Sequence, residues 1–357
     1  MDINYFQTHV SRTFRIECEL GSGCGGAIYK AWHPRLQKFV VIKEDKRDPV
    51  KNAENRRNEA EALKNVKSAY LPQVFDYLTD GSSTFTVLEY IEGESFDKML
   101  NRGLSFTRAQ VIKWYGQLAS ALEVIHSQNI YHRDIKPANI MLTPGGNVCL
   151  IDFNSALVGK HGSRLVSRSL GYASPEQNEV FERQKATRDL LYSQTDEGET
   201  GCADSVAEID PDAGCETELV ENLISTHLRL CVQHQSSQTD RAVDWKRSDI
   251  YSLGATMYHL LTGVHPAALT EKDHISLFSG DPRDGIARVI IRSIRRDPME
   301  RFASAEELSA ALSELTSQSR RRYPTALKLT GLAITAAALM SLAIYTSERR
   351  SRCVPEK

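Results

Sequence analysis

The apolar residues change period once along this chain, near residue 93, and that change limits the architectures open to it. Between residues 14 and 92, apolar runs of period two (Ala27-Ile28-Tyr29, Phe39-Val40-Val41-Ile42, Phe85-Thr86-Val87-Leu88) sit between turn residues and predict strands. Within that half, Ala53 to Val66 is charged, free of Gly and Pro and rich in helix formers, which predicts one helix. From Ser105 onward, Val111, Trp114, Tyr115, Leu118, Leu122 and Ile125 recur at helical spacing. A mostly β half followed by a mostly α half predicts a two-lobed α+β fold, and 357 residues are enough for it.

The net charge of -2 comes from 44 Lys+Arg against 46 Asp+Glu, so no general nucleic-acid-binding surface is expected. That near-neutral total conceals a polarised chain. Between Glu179 and Glu221 stand thirteen acidic and three basic residues, which leaves the remainder near +8. Residues 178 to 246 therefore read as an acidic, solvated insertion, although Leu219, Leu223, Ile224, Leu228 and Cys231 share one helical face. Seven scattered cysteines argue against a disulfide framework and for a reducing compartment, and no CxxC pair supports zinc. No basic stretch followed by an apolar run opens the chain, so a secretory signal is not expected. Near the other end, Leu327 to Tyr345 holds nineteen residues with one charge, Lys328, flanked by Arg320, Arg321 and Arg322 before and Arg349, Arg350 and Arg352 after. As a helix this stretch spans about 28 Å, close to the roughly 30 Å of a bilayer core, and predicts a membrane span over 327–346.

Gly21-Ser22-Gly23-Cys24-Gly25-Gly26 is ambiguous alone, because dinucleotide folds, phosphate flaps and plain turns all produce such glycines. A dinucleotide site needs a helix directly after them, whereas Ala27 to Pro34 reads as a strand ending in a turn. A glycine hairpin between strands would instead lay backbone N–H groups over phosphates. Seventeen residues past Gly26, Lys43 closes the apolar run Phe39 to Ile42 and is a candidate cation for such phosphates. Held in a cleft it needs a carboxylate, and the following helix offers Glu59, the preferred partner, or Glu61.

The richest cluster of chemistry is Tyr131-His132-Arg133-Asp134-Ile135-Lys136-Pro137-Ala138-Asn139, followed by Ile151-Asp152-Phe153-Asn154. On these residues the sequence resembles the protein kinase superfamily, in particular bacterial Ser/Thr kinases of the eukaryotic type. The order of flap glycines, strand lysine, HRD-x-K-x-x-N, DF-x, a Pro-Glu pair and a late Arg holds across roughly residues 14 to 316. The resemblance implies that Asp134 orients the substrate hydroxyl and accepts its proton, while Lys136 neutralises the transferred group. It implies that Asn139 and Asp152 hold Mg²⁺ and that Gly21, Gly23, Gly26, Ile28, Lys43 and Glu59 surround ATP, with Glu89 and Tyr90 in the lobe-joining segment that binds adenine. By the same resemblance Glu176 pairs with Arg301, Asp249 holds the backbone of the 132–134 loop, and Ser169 stands where the family has a substrate-loop Thr. Arg133 would read a phosphate on Ser163, Ser167 or Ser169, which implies autophosphorylation, with a homodimer as the expected arrangement for it.

Three departures bear on nucleotide affinity: Asn154 for the usual Gly, Gly25 for an aromatic flap tip, and Val41 for the usual Ala. The expected organisation is an N-terminal extension (1–13), a β-rich lobe (14–92), and an α-rich lobe (93–316) carrying the acidic insertion 178–246. A basic linker (317–326), a membrane helix (327–346) and a short tail (347–357) follow. The expected function is a membrane-anchored Ser/Thr protein kinase, its catalytic part on the cytoplasmic face of a bacterial plasma membrane, with protein substrates that the acidic segment would make basic. Two rivals stand beside it: a membrane-tethered pseudokinase scaffold that binds nucleotide, and a small-molecule phosphotransferase, for which the Pro-Glu and late-Arg features are unusual.

Overall fold

The computed structural model describes residues 13–23, 26–45, 63–80, 83–153, 155–159, 168–195, 243–268 and 284–322. The chain divides into two units, Met1–Ser309 and Ala310–Lys357, and the architecture that follows is that of the first. Strands β1 (Arg15–Gly23), β2 (Gly26–His33), β3 (Lys38–Asp45), β4 (Val74–Asp80) and β5 (Ser83–Glu89) form an antiparallel sheet in the order β1-β2-β3-β5-β4. Register assigns its two faces. Ala31 lies opposite Val40, and Ile42 opposite Val87, and these four join Phe14 and Phe85 in a buried cluster. Because side chains alternate along a strand, Ile28, Val41 and Lys43 leave the other face, with Ile28 directly opposite Lys43.

The helical lobe begins with β6 (Glu94–Ser95) and α1 (Phe96–Asn101) and continues into α2 (Arg108–Ser127). Thr107 caps α2 in a reciprocal box with Gln110, and Val111, Trp114, Tyr115, Leu118, Leu122 and Ile125 are all buried, as their spacing predicts. Short strands β7 (Ile130–Tyr131), β8 (Ile140–Leu142), β9 (Val148–Leu150) and β10 (Leu157–Val158) then bracket the polar loops. The pair β7–β10 and the ladder β6-β8-β9 bring residues 131–140 alongside 151–157. Helices α3 (Pro175–Thr195), α4 (Trp245–Thr262), α5 (Gly285–Ser293) and α6 (Ala305–Arg322) follow. The insertion expected at 178 is therefore helical for its first eighteen residues, continuing α3, and residues 196–242 lie outside the described residues. So do residues 53–62 of the helix expected at Ala53–Val66 and the whole apolar stretch 327–346. Among the described residues no helix is long and apolar enough to cross a membrane.

Helix α4 is the centre of this lobe, packing against α2 and α5, with Ile250, Leu253 and Met257 fully buried. Its approach to α5 requires a glycine. A Cβ on Gly254 would lie 2.6 Å from the Cβ of Ser293, and Ser293 Oγ in turn bonds Tyr115 Oη of α2 at 2.6 Å. The C-terminal end of α4 presents His259, whose Nδ1 lies 2.6 Å from the Tyr172 hydroxyl. Tyr172 reaches this position because Gly171 adopts φ 80°, where a side chain would press to 2.6 Å from the backbone nitrogen of Ala267. Burial, reinforced by His265 and opposed by Asp97, lowers the His259 pKa to about 4.

Gly254→Ala should destabilise the chain by about 1–3 kcal/mol through overpacking, despite the better helix propensity of alanine, as read from urea unfolding. His259 supplies a second test. The unfolded chain protonates this ring near pH 6.5, the folded one near 4, so between those values the unfolded state binds more protons. Its contribution to stability is intact above about pH 6.5 and is lost as pH falls toward 4. In thermal melts across that window, His259→Asn, which keeps an acceptor for Tyr172 but does not titrate, should show a shallower decline than the parent chain.

Candidate active site

Asp249, within α4, has no exposed surface. Its carboxylate accepts from the backbone N–H groups of His132 at 2.9 Å and Arg133 at 2.8 Å, and bonds His126 Nε2 at 2.9 Å. A buried carboxylate needs such donors to offset its lost hydration. Their effect on the loop is geometric. Arg133 sits at φ 62°, an uncommon conformation for a long side chain, and the carboxylate holds the backbone there. The Arg133 side chain turns inward, its Nε donating to Ser155 O at 2.7 Å and its guanidinium lying 5.1 Å from the Trp245 ring.

His132 links the two polar loops. Its Nε2 lies 3.2 Å from Ile151 O and its Nδ1 accepts from Asp134 N at 3.4 Å. A carbonyl only accepts, so Nε2 carries the proton. The ring also lies 5.0 Å from that of Phe153. Ile151 N donates to Asn139 O at 2.8 Å, so Asp152 is fixed relative to Asn139 through the main chain. Asp152 itself adopts φ 68°.

Around Asp134 three side chains converge. Ser169 Oγ donates to Asp134 Oδ1 at 2.6 Å, and Lys136 Nζ donates to that same Oγ at 3.0 Å. Lys136 Nζ also lies 2.9 Å from Asp134 Oδ2, and Asn139 Nδ2 donates to Oδ2 at 3.0 Å and to Asp134 O at 2.8 Å. Ser169 thus stands where the sequence places it, as a hydroxyl held between a carboxylate and an ammonium. Lys43 reaches across from the sheet, its Nζ 2.6 Å from Asp152 Oδ1, with both side chains partly buried. The partner expected for Lys43, Glu59, lies outside the described residues, as do Glu61, Cys24, Gly25, Asn154, Ser163 and Ser167.

With its amide nitrogen engaged by Asp134, Asn139 has Oδ1 as its remaining polar end. That oxygen and the Asp152 carboxylate are hard donors of the kind a divalent cation takes. Among the described residues no group of three or more His, Cys, Asp or Glu could hold a metal alone. Two hard side chains fit an ion whose other ligands come from phosphate and water.

Gly21, Gly23 and Gly26 lie on the β1–β2 hairpin, where Gly23 pairs with Gly26, and Ile28 follows on the Lys43 face. Glu89 ends β5, its N–H donating to Gln73 O at 2.8 Å and its carboxylate accepting from Gln73 N at 3.2 Å. Tyr90 does more than its sequence position suggests. Lys30 Nζ lies 4.3 Å from the centroids of both Tyr90 and Phe39, so a cation between two rings ties the sheet to the lobe-joining segment. The roles of Tyr90 and His132 side chains escape a reading by motif. For Tyr90 the available signal was Lys30, two residues past Ile28 on the same face. Arg301, 1% exposed, forms the expected pair with Glu176 through two bonds of 2.6 and 2.9 Å.

Residues 14–189 match the model of the protein kinase domain. A probable serine/threonine-protein kinase of Clostridium acetobutylicum is 30% identical over 177 residues, which are 48% of this chain and 27% of that protein. A probable serine/threonine-protein kinase of Streptomyces coelicolor is 25% identical over 309 residues, 81% of this chain and 38% of its own length. The serine/threonine-protein kinase pkn3 of Myxococcus xanthus is 24% identical over 342 residues, 89% of this chain and 52% of its own. The chain thus spans about a quarter to a half of these relatives. Sheet, loops and ion pairs agree with the match: residues 14–189 carry a protein kinase domain, and the chain is similar to bacterial Ser/Thr kinases of the eukaryotic type.

Proposed function

We propose that this chain transfers the γ-phosphoryl group of ATP to serine or threonine hydroxyls of proteins. The observation that carries the reading is the Ser169 hydroxyl between Asp134 Oδ1 and Lys136 Nζ, at 2.6 and 3.0 Å. A general base has to lie within about 2.6–3.2 Å of the group it deprotonates, and here a seryl oxygen already meets that requirement. An incoming hydroxyl that takes up the same two bonds gives its proton to Asp134. Its oxygen bonds the γ-phosphorus as the bond from phosphorus to the bridging oxygen breaks, and ADP leaves. Lys136 offsets charge on the transferred group, Lys43 carries charge to the triphosphate, and Asn139 keeps the Asp134 carboxylate from rotating. Mg²⁺, held through Asn139 and Asp152, would neutralise the triphosphate oxygens. The retained Lys43, Asp134, Asn139 and Asp152, and the bond joining Lys43 to Asp152, favour an enzyme over a scaffold.

The same proposal includes a membrane anchor at 327–346 with the catalytic part on the cytoplasmic side, where ATP is found, and activation by phosphate transfer to the chain's own segment between Asp152 and Glu176. The flanking arginines at 320–322 and 349–352 support the anchor, since they match two headgroup layers. Basic protein substrates are proposed on the strength of the acidic residues between 179 and 221.

Incubated with labelled ATP, Mg²⁺ and a generic basic protein, the full chain should label Ser/Thr, and Asp134→Asn or Lys43→Met should lower the rate at least about 10²-fold. Nucleotide binding with no transfer would sink the enzyme reading in favour of the scaffold, and active enzyme without phosphate on residues 152–176 would remove self-activation. Alkaline carbonate extraction of membranes should leave the full chain in the pellet and release a chain ending at Arg322. Release of both contradicts the anchor.

A further inference from the structure

The Ser169 hydroxyl can sit between Asp134 and Lys136 only while the backbone that carries it is held on both sides. On the C-terminal side, Ser169 O accepts from Tyr172 N and Ala173 N, both at 3.0 Å. On the N-terminal side the neighbour is Arg168, whose side chain reaches α3. Arg168 Nη1 donates to Glu182 Oε1, and its guanidinium lies 5.1 Å from the centre of the Phe181 ring. A planar cation with a ring on its face and a carboxylate at its edge is held in two directions at once.

Helix α3 offers a fixed wall because its first turn is built into the core. Ser174 Oγ accepts from Gln177 N at 3.2 Å, and Glu176 takes both bonds from Arg301. Gln177 Nε2 donates at 2.8 Å to Arg133 O, the carbonyl next to Asp134. Phe181 and Glu182 follow roughly 10 Å further along the axis, at about 1.5 Å per residue. One helix therefore touches the loop that carries Asp134 with its first turn and the segment that carries Ser169 with its second. The Arg168–Glu182 pair is itself well exposed, its side chains at 35% and 56%. An exposed pair adds little to the stability of a whole domain, so its consequence is local. What it orders is the stretch from Arg168 to Ala173.

We propose that Phe181 and Glu182 are positioning residues for the acceptor side of the site, acting through Arg168. Held by them, Ser169 sets the directions of the Asp134 carboxylate and the Lys136 ammonium that receive the incoming hydroxyl. The proposal rests on the kinase reading above for its kinetic consequence, and it gives the first turns of the acidic segment a task in the reaction. Because the clamp acts on the acceptor side, the acceptor and not ATP registers its loss.

The test uses the full chain with labelled ATP, Mg²⁺ and a generic basic protein as acceptor. Glu182→Gln and Arg168→Gln should each lower kcat/KM for the acceptor about three- to tenfold, with KM for ATP and the thermal midpoint unchanged. The double variant should lose no more than either single one, since both break the same contact. Exchanging the charges, Arg168→Glu with Glu182→Arg, should give a faster enzyme than either reversal alone. Were Glu182 to bind the basic acceptor directly, Arg168→Gln would raise kcat/KM. That result overturns the proposal, as do parent kinetics in Glu182→Gln or losses that add in the double variant, and each leaves the kinase reading intact. Amide hydrogen exchange reads the clamp without any turnover. In Glu182→Gln, residues 168–173 should exchange at least about threefold faster, while His132 and Arg133, held by Asp249, keep the parent rate. If no acceptor is labelled, the activity reading falls and exchange alone decides: faster exchange over 168–173 supports the clamp, and parent rates there overturn it.

Discussion

The catalytic loop depends on one buried carboxylate. Asp249 takes two consecutive backbone N–H groups and an imidazole into a site with no exposed surface, and so holds Arg133 in a left-handed conformation that its side chain would ordinarily avoid. The turn this imposes is what lets His132 face Ile151 while Asp134, two residues on, faces Ser169. Removing the carboxylate would remove the reason for the turn. The remaining main-chain anchors, Asn139 Nδ2 to Asp134 O and Gln177 Nε2 to Arg133 O, hold carbonyls and leave the His132 and Arg133 N–H groups to Asp249.

The charges are distributed with similar economy. Lys43 and Lys136 approach from opposite lobes, each bonded to an aspartate, 2.6 Å from Asp152 and 2.9 Å from Asp134. Each pair sets the orientation of its carboxylate inside a partly closed cleft. The main-chain bond from Ile151 to Asn139 couples the two pairs, so Lys43–Asp152 and Lys136–Asp134 belong to one hydrogen-bonded unit.

Much of this could be read before any coordinates. Period-two runs located β2, β3 and β5, helical spacing located α2 together with its buried face, and motif order identified Asp134, Lys136, Asn139, Asp152, Ser169, Asp249 and the Glu176–Arg301 pair. What stayed hidden depends on three-dimensional approach. Tyr172, His259 and His265 are brought together by a glycine turn and a helix end, so nothing in their spacing marks the cluster. The ring of Tyr90 meets Lys30 across some sixty residues through β-sheet register, which periodicity alone does not provide. The start of the acidic segment is helical, which its charge does not reveal, because α3 buries Gln177 in its first turn and carries the charged residues beyond it.

Buried contacts close the ends of that segment to each other. Ser174 Oγ meets Ser248 Oγ at 2.8 Å, Gln177 reaches both Ser248 and the Arg133 carbonyl, and Arg301 joins Glu176 to the carbonyl of Arg247. The two entry points of the intervening chain are thereby fixed to each other, independently of its length or composition. Lengthening or shortening the chain between them would leave the bonds that hold Arg133 and Glu176 in place.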